Sequence, residues 1–462
     1  MIRRPAYMTH SCPSPGSDNI WDDISPSRET VLKSQTARKY LEEHFQSLIE
    51  ETKESQSRMK LFKETIDNYN LLPIDKEALY EQFLSEETKN RRSARARLKP
   101  SRFQKIRLIG KGGFGQVWLV QDKVTKDLYA LKVLRKADII LQDQLVNVHT
   151  EREILSQCAN PWVVTLRCSF QDPENLYLVL DYMCGGDLMT ALIKLKIFNE
   201  AITRFFIGEI AIALNSIHKM HFLHRDLKPD NVLIDKDGHI KLADFGLSMS
   251  YRKTDTQFQN LLDELQQLLL EHSQVGVSDP VTHHVRGTAI GTYDYTAPEI
   301  LQSQEPTTAS DFWSLGVIMY EMLYGHSPFS GRSPTETALR ITHWQKALRF
   351  QPKPQPISDQ AIDLIKHLLC APDQRFGFNE LISHPFFADF HFDNVKLNPA
   401  PLVPIIKFPT DTSHFDAYEN VEDTGGDLPG GDLAKVAFWG YTFKQRQPNS
   451  ALTRLGASLF AD

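Results

Sequence analysis

At 462 residues the chain is long enough for two or three compact units, and 41% hydrophobic with 24% charged residues is the composition of an ordinary soluble globular protein. A formal net charge of −6 excludes a globally basic nucleic-acid binder, although it leaves room for a local basic patch. Five cysteines (Cys12, Cys158, Cys168, Cys184 and Cys370), odd in number and without metal-ligand spacing, read as reduced thiols of a cytosolic or nuclear protein.

Residues 1–28 are rich in Pro, Ser and charge and are expected to be disordered. Ser14-Pro15 and Ser25-Pro26 read equally well as sites for proline-directed kinases and as chance pairs in a loose tail. The start lacks an apolar h-region, so no signal peptide is expected. The most apolar helical stretch, Phe205 to Leu214, is short and carries Glu209, so no membrane span is expected.

From Glu29 to Asn68 the polarity is helical, with Leu41, Phe45, Leu48, Leu61 and Phe62 recurring among charged residues. Pro73 breaks the run, and Asp75 is the expected N-cap of a second helix carrying Leu79, Phe83 and Leu84. Such a hairpin has an apolar stripe in need of a partner. The second helix runs into Thr88 to Arg107, with nine Lys or Arg and no acid. That strip is either a solvated helix face or a docking surface for an acidic protein or a phosphate. The lack of aromatics alternating with the basic residues argues against nucleic acid.

Phe103 to Tyr182 reads as short β-runs with one helix, and Asp187 to Phe390 as mainly helical, with an insert at 251–287. A Pro-rich extended tail, "NPAPLVPIIKFP", then leads through a Gly-rich spacer to "VAFWGYTFKQR".

The chemistry is carried by ordered motifs. "IGKGGFGQV" (Ile109 to Val117) supplies Gly110, Gly112 and Gly115 between two strands, suited to close approach and N–H donation to phosphates. A plain hairpin competes with this reading; a dinucleotide-binding turn does not, because a strand follows instead of a helix. Lys132 lies inside the apolar strand "YALKVL" and needs an anion, for which Glu151 in "NVHTEREIL" and nucleotide phosphates are candidates. A lysine merely snorkelling from its strand is the plainer alternative. "HRDLKPDN" offers Asp226 to orient a hydroxyl proton and Lys228 to neutralise a phosphoryl in flight, and Asn231 with Asp244 of "DFG" offers oxygen ligands for Mg²⁺. "APE" (Ala297 to Glu299) and "SDFWSLG" (Ser310 to Gly316) complete the series.

Over residues 103–390 these motifs resemble those of the eukaryotic protein kinases. The resemblance implies an α+β bilobal fold, with a β-rich lobe at 103–183, a helical lobe at 184–390 and ATP between them. It implies Asp226 as catalytic base, Lys132–Glu151 as the pair holding the α- and β-phosphates, and Asn231 and Asp244 as Mg²⁺ ligands. The nucleotide site would comprise Ile109, Gly110, Gly112, Gly113, Phe114, Gly115, Val117, Ala130, Lys132, Leu180 as gatekeeper, the hinge from Asp181 to Met183, and Leu233. Glu299 would pair with Arg375, and Lys228 implies Ser or Thr as acceptor.

Three features narrow the resemblance. Phe438, Tyr441, Thr442 and Phe443 match the hydrophobic motif that ends AGC kinases, within a tail at 391–446 followed by a flexible stretch at 447–462. Fifty residues separate "DFG" from "APE", and within them Phe258 to His272 is amphipathic and expected to be helical. A helical hairpin with a basic second arm precedes the kinase region. Together these resemble the NDR/LATS family, which implies that 29–102 is a regulatory region binding a Mob coactivator, with Arg91, Arg92 and Arg95 in the interface. "LYEQFLSEETKNRRSARARLK" and "TETALRITHWQKALRF" are most similar to the fungal mitotic-exit and septation-initiation kinases, implying roles in mitotic exit, septation and cytokinesis. The implied locations are the cytoplasm, spindle pole, division site and nucleus. The cell-morphogenesis branch of the family, and a kinase-like scaffold without phosphotransfer, are the alternatives.

Departures from the family refine this. The family's insert is often basic, whereas Tyr251 to Arg286 holds three basic against five acidic residues, so an amphipathic helix competing for a lobe surface is expected instead. Thr288 aligns with the activation-segment phosphosite, Tyr293 replaces a proline, and Thr292 is expected to position Asp226. Phosphorylation of Thr288 and Thr442 by an upstream kinase would regulate activity. Asp187, Asp230 and Glu321 match acidic positions that favour upstream arginine, implying an Arg-x-x-Ser/Thr preference.

Overall fold

The computed structural model describes residues 26–68, 72–95, 97–112, 115–157, 160–250, 256–272, 293–351, 357–418 and 431–445. Helix α1 (Arg28–Asn68) is 41 residues long and is followed by α2 (Pro73–Arg95). Phe62 and Ile66 of α1 are buried against Phe83 of α2, with the Phe62 and Phe83 rings stacked at 4.2 Å. Arg58 pairs with the mostly buried Glu87 at 3.2 Å, and Arg91 donates to Ser55 Oγ at 2.6 Å, so polar contacts fix the same seam. Asp75 does not cap α2. Pro73 is already its first residue, where a missing N–H costs nothing, and the amides of Asp75 and Lys76 both reach back to the Leu72 carbonyl. Of the expected apolar stripe only Phe62 is buried; Leu41, Phe45, Leu48 and Leu61 stay exposed.

Strands β1 (Phe103–Gly112), β2 (Gly115–Asp122) and β3 (Leu128–Arg135) lead through helices α3 (Lys136–Leu141) and α4 (Leu145–Gln157) to β4 (Leu166–Gln171) and β5 (Asn175–Asp181). The second half holds α5 (Leu188–Leu195), α6 (Glu200–Lys219), β6 (Phe222–Leu223), β7 (Val232–Ile234), β8 (Ile240–Leu242), β9 (Met249–Ser250) and α7 (Thr256–His272). Then come α8 (Pro298–Leu301), α9 (Thr308–Tyr324), α10 (Pro334–Thr342), α11 (Trp344–Ala347), α12 (Asp359–Leu368) and α13 (Phe378–Ile382). The tail contributes α14 (Gly431–Ala437) and β10 (Phe443–Lys444).

The result is the bilobal protein-kinase fold. Its first lobe is an antiparallel sheet of order β1-β2-β3-β5-β4-β10. Strand β10 is short, but it covers the open edge of β4, pairing Phe443 with Ser169 and Lys444 with Cys168. The second lobe is built on α6 and α9, whose inward faces are almost wholly buried, with α12 packed behind α9. Asp187 caps α5 by accepting from the Thr190 amide at 2.7 Å, and Gly325 ends α9 at φ +77°, a left-handed turn that suits a residue without Cβ. The loop that carries Asp226 runs between β6 and β7, which pair with β9 and β8 in two small ladders. Among the described residues no helix is long and apolar enough to cross a membrane.

The amphipathic insert is helical as expected, over Thr256–His272. It packs against α1, α3, α4 and α14, and therefore sits on the sheet lobe. Helix α14 had no sequence forecast, because its first residue belongs to the glycine-rich spacer.

Candidate active site

Two clusters of charge are held where the lobes meet. In the first, Lys132 on β3 lies with Nζ 2.7 Å from Glu151 Oε1 on α4 and 3.1 Å from Asp244 Oδ1. Burial works against the charge on Lys132, but the Asp244 and Glu151 carboxylates outweigh it and hold its pKa above that of a free lysine. In return the Lys132 ammonium holds Asp244 below the usual carboxylate range. The Asp244 side chain keeps 47% of its exposure, so the carboxylate is both charged and open to the cleft.

In the second cluster, Lys228 Nζ lies 2.7 Å from Asp226 Oδ2, and Asn231 Nδ2 donates to the Asp226 carbonyl (2.8 Å) and to Oδ2 (3.1 Å). With its amide nitrogen committed to Asp226, Asn231 is left with its oxygen for a cation. Asn231 and Asp244 thus present the hard oxygen donors that suit Mg²⁺. Lys228 lies close enough to help hold Asp244 in its charged form.

The backbone under this cluster is strained and braced. Arg225 (φ +66°) and Asp244 (φ +58°) adopt left-handed geometry. The brace is Asp311 of "SDFWSLG", whose carboxylate accepts the amides of His224 (3.0 Å) and Arg225 (2.9 Å) and the ring of His218 (2.7 Å). Burial opposes its charge, yet these hydrogen bonds keep the Asp311 pKa below the usual range. The motif was legible in the sequence, but the role of its aspartate was not. Glu299 and Arg375 form the expected buried pair, at 2.6 and 3.0 Å.

Of the expected nucleotide residues, Val117, Ala130, Lys132 and Leu180 lie on the adjacent strands β2, β3 and β5. Val117 pairs with Lys132 and Ala130 with Leu180 across neighbouring strands, Met183 and Ile109 are buried, and Leu233 bridges to Asp187. Asp181 is held by Arg167 at 2.6 Å, and Tyr182 donates to the Asp411 carbonyl of the tail at 2.6 Å. A Cβ on Gly115 would run into the Val133 carbonyl, one on Gly110 would touch Val117, and one on Gly112 would meet nothing among the described residues. Gly113 and Phe114 lie outside the described residues, as do Thr288 and Thr292.

Asp187, Asp230 and Glu321 are brought together. Burial raises the pKa of both Asp187 and Glu321, and Asp230 adds like-charge pressure to each. Asp416 joins the cluster beside Asp187, and Asp294 beside Glu321. Neither is expected in this cluster from the sequence, although Asp294 stands just before "APE" and Asp416 in the AGC-like tail, because neither stretch names its spatial neighbours. Glu321 also accepts from Tyr295 OH at 2.6 Å.

The aromatic tail is docked. Phe438 and Tyr441 are fully buried, Phe443 packs against the same core, and Thr442 is exposed. Three side chains bind its main chain: His149 to the Ala437 carbonyl (2.8 Å), Gln171 to Phe438 (2.7 Å) and Ser169 to Tyr441 (2.6 Å). Of the basic arm, Arg92 is exposed and Arg91 is turned back onto Ser55, while the Arg95 side chain lies outside the described residues.

Among the described residues one other group has metal-ligand types, Asp363, His367 and His384. Its hydrogen bonds already use both ring nitrogens of His384 and Nδ1 of His367. The Phe386 amide donates to His384 Nδ1, leaving an Nε2–H to face Asp363 at 3.0 Å, and His367 Nδ1 lies 2.9 Å from the Asp363 carbonyl.

The family profile "Protein kinase domain" matches residues 103–387. The chain is 37% identical over 466 residues to the serine/threonine-protein kinase Warts of Drosophila melanogaster, covering 94% of this chain and 42% of Warts, so it spans about two fifths of that relative. It is 35% identical to CBK1 of Pneumocystis carinii, covering 92% of this chain and 90% of that protein. It is 36% identical to tricornered of Drosophila melanogaster, covering 91% and 95%. With a kinase profile over more than half its length and similarity spanning nearly the whole of CBK1 and tricornered, the chain belongs to the protein kinases, in their NDR/LATS family of serine/threonine kinases.

Proposed function

We propose that the chain transfers the γ-phosphoryl group of ATP to serine or threonine hydroxyls of proteins carrying an upstream arginine. The observation that carries this reading is the pair of charge clusters, Lys132–Glu151–Asp244 and Asp226–Lys228–Asn231, which meet at Asp244. Asp226, restrained by Lys228 and Asn231, orients the acceptor hydroxyl and takes its proton as the oxygen attacks. Lys228 offers positive charge to the phosphoryl in transit. Lys132, kept cationic by its carboxylates, binds the α- and β-phosphates. Asn231 and Asp244 would hold Mg²⁺, which when bound would neutralise charge on the phosphate oxygens. Asp187, Asp230 and Glu321 receive the substrate arginine.

Phosphate transfer from ATP to an Arg-x-x-Ser peptide by the full chain tests the reading. Asp226→Asn is expected to lower kcat by about 10²–10⁴-fold. Transfer at the wild-type rate by that variant would overturn it.

Regulation by a Mob-type coactivator and by phosphorylation of Thr288 and Thr442 belongs to the same proposal. Support for a docked partner comes from α1, where Tyr40, Leu41, Phe45, Leu48 and Ile49 are between 38% and 59% exposed, a continuous apolar face beyond the scatter normal for a surface. Loss of coactivator binding on Phe45→Glu/Leu48→Glu, or on reversing Arg91, Arg92 and Arg95 to Glu, is the expected result; undiminished binding in both would remove the proposal. Exposure of Thr442 beside buried Phe438 and Tyr441 suits a residue that a kinase must reach. Mitotic exit and septation are the setting that the resemblance to the fungal kinases favours.

A further inference from the structure

We propose that the groove between Pro328 and the helices α10 and α11 is a docking site for an acidic segment of a protein substrate. The segment carries a large apolar side chain and lies apart from the phosphorylated residue. This rests on the kinase reading and adds to it a second recognition surface, on the helical lobe.

The groove has a volume of about 470 Å³ and is lined by Pro328, Leu339, Arg340, His343, Lys346 and Ala347. Helix α10 turns Thr337 and Ile341 inward, where both are buried. Its outward side holds Leu339, which is 59% exposed although large and apolar. Pro328 and Ala347 line the same groove half-buried, so Leu339 belongs to an apolar strip and is not an isolated surface residue. The base is rigid. Trp344 of α11 meets buried Trp313 edge-on, with centroids 6.1 Å apart, and Tyr320 of α9 donates to the Arg349 carbonyl at 2.7 Å. A groove already formed spares its ligand the cost of ordering it.

The rim is cationic. Arg340, His343 and Lys346 are exposed, and none of the six lining residues is acidic. The carboxylate of α10, Glu336, is already committed: it accepts from Arg340 Nη2 at 2.6 Å and from the Arg332 amide at 2.8 Å. Arg340 also donates to the Ser330 carbonyl, which holds its guanidinium in place. His343 donates from Nδ1 to the Leu339 carbonyl at 3.0 Å. Lys346 has no ion-pair partner among the described residues.

Charge decides the occupant. The chain as a whole carries −6, and the cluster of Asp187, Asp230 and Glu321 is acidic, so a basic groove is the exception on this surface. An acidic segment is repelled by that cluster and attracted here, while the substrate arginine has the opposite preference, so the two surfaces sort one substrate without competing. Helix α10 packs against the turn Tyr293–Tyr295 and against α8, the stretch that contains "APE", so a segment held here stays on the lobe that carries Asp226. A flexible link from that segment to the phosphorylated serine makes the second contact intramolecular.

The test uses the full chain and an Arg-x-x-Ser peptide joined to the segment Asp-Glu-Phe-Asp-Glu, placed before the arginine in one peptide and after the serine in another. The join is a Gly/Ser linker of about 20 residues, which spans roughly 25 Å. We expect at least one of the two to show a KM about tenfold below that of the bare peptide at unchanged kcat. Free Asp-Glu-Phe-Asp-Glu should abolish that gain without slowing the bare peptide. Serine in place of the phenylalanine, or lysine in place of the acids, should remove it. In Leu339→Ser/Lys346→Glu the gain should vanish while the bare peptide reacts as with wild type, and in Lys346→Glu the lysine-flanked peptide should acquire one. Equal KM for joined and bare peptides in wild type, a gain that survives in the double variant, or a gain as large with serine as with phenylalanine would overturn the inference. So would a wild-type dimer in light scattering that the double variant loses, because the groove would then belong to a second copy. Melting curves report whether the double variant is folded; if it is not, competition in wild type and the charge reversal in Lys346→Glu decide. A wild type inactive on every peptide would sink the kinase reading alone. Fluorescence polarisation of labelled Asp-Glu-Phe-Asp-Glu would then decide the groove: binding to wild type that is lost in Lys346→Glu supports it, and equal or absent binding overturns it.

Discussion

His149 donates from Nε2 to the Ala437 carbonyl at 2.8 Å, and thereby fastens the helix that carries Glu151 to the helix that leads into the aromatic tail. The ring also stacks on Phe438 (6.4 Å between centroids) and meets Tyr441 edge-on (6.1 Å). His149 is therefore a positioning residue: it touches nothing that reacts, yet it lies on α4 with the partner of Lys132. Loss of one buried hydrogen bond costs about 1–3 kcal/mol, so His149→Ala should lower kcat several-fold while leaving KM for the peptide unchanged. His149→Gln, which can donate to the same carbonyl, should recover most of the rate. Equal defects in the two variants would mean that the ring matters only as filling.

Burial, aided by Arg152, pushes the His149 pKa down to about 4, against the opposing pull of the Ala437 carbonyl. The sign follows from linkage. The unfolded chain, with an imidazole near 6.5, binds more protons than the folded one between about pH 4 and 6.5. The contribution of His149 is thus fully present above about pH 6.5 and is lost as pH falls towards 4, by an amount on the order of 3 kcal/mol. Melting curves of wild type and His149→Gln should converge on acidification from pH 7.5 to 5. Parallel curves would show that this histidine does not titrate on unfolding.

Glu299 and Arg375 form a buried ion pair with two hydrogen bonds, and Arg375 additionally donates to the carbonyls of Cys370 and Ala309. Removing either partner leaves an uncompensated buried charge, which typically costs about 3–5 kcal/mol. Glu299→Ala and Arg375→Ala should each lower the melting temperature markedly. The double variant should be less destabilised than the sum of the singles. A melting temperature within a degree or so of wild type for either single would contradict the pair's structural role.

This pair was legible in the sequence, as was the Lys132–Glu151 contact, because each half stands in a motif with fixed neighbours. Runs of apolar, β-branched and aromatic residues marked the strands between Phe103 and Asp181, and periodicity marked α1 and α7. What escaped was relational. No local pattern said that α7 would lie on α4 and α14, since an amphipathic face names no partner. Leu41 and Phe45 have the same periodicity as Phe62, yet only Phe62 meets an aromatic on α2. The cap expected at Asp75 falls three residues too late, because a proline that ends one helix can also begin the next. Asp294 and Asp416 join the acidic cluster through tertiary approach alone.

Within that cluster the carboxylates are not equivalent. Asp187 caps α5, and Glu321 accepts from Tyr295, so replacing either disturbs the frame as well as the charge. Asp230 is exposed and is the cleaner probe. Asp230→Asn should lower kcat/KM on an Arg-x-x-Ser peptide by about tenfold and leave a peptide lacking that arginine almost unaffected, because only the former loses a charge-assisted contact. Equal losses on both peptides would detach Asp230 from arginine recognition.

The glycines of the first hairpin separate folding from chemistry. A Cβ at Gly115 would overlap the Val133 carbonyl, and backbone cannot yield as a flexible side chain can. At Gly112 it would meet nothing within 4 Å among the described residues. Gly115→Ala should therefore push β2 away from β3, the strand that carries Lys132, costing about 1–3 kcal/mol of stability along with activity. Gly112→Ala should melt within about 0.5 kcal/mol of wild type, as changes at open positions usually do. If the turn lies against phosphates as proposed, its added methyl should raise KM for ATP. The comparison has a definite failure: a Gly115→Ala protein with wild-type melting would mean that β2 and β3 are not held as closely as described, and a Gly112→Ala protein with unchanged KM for ATP would move the phosphates away from that turn.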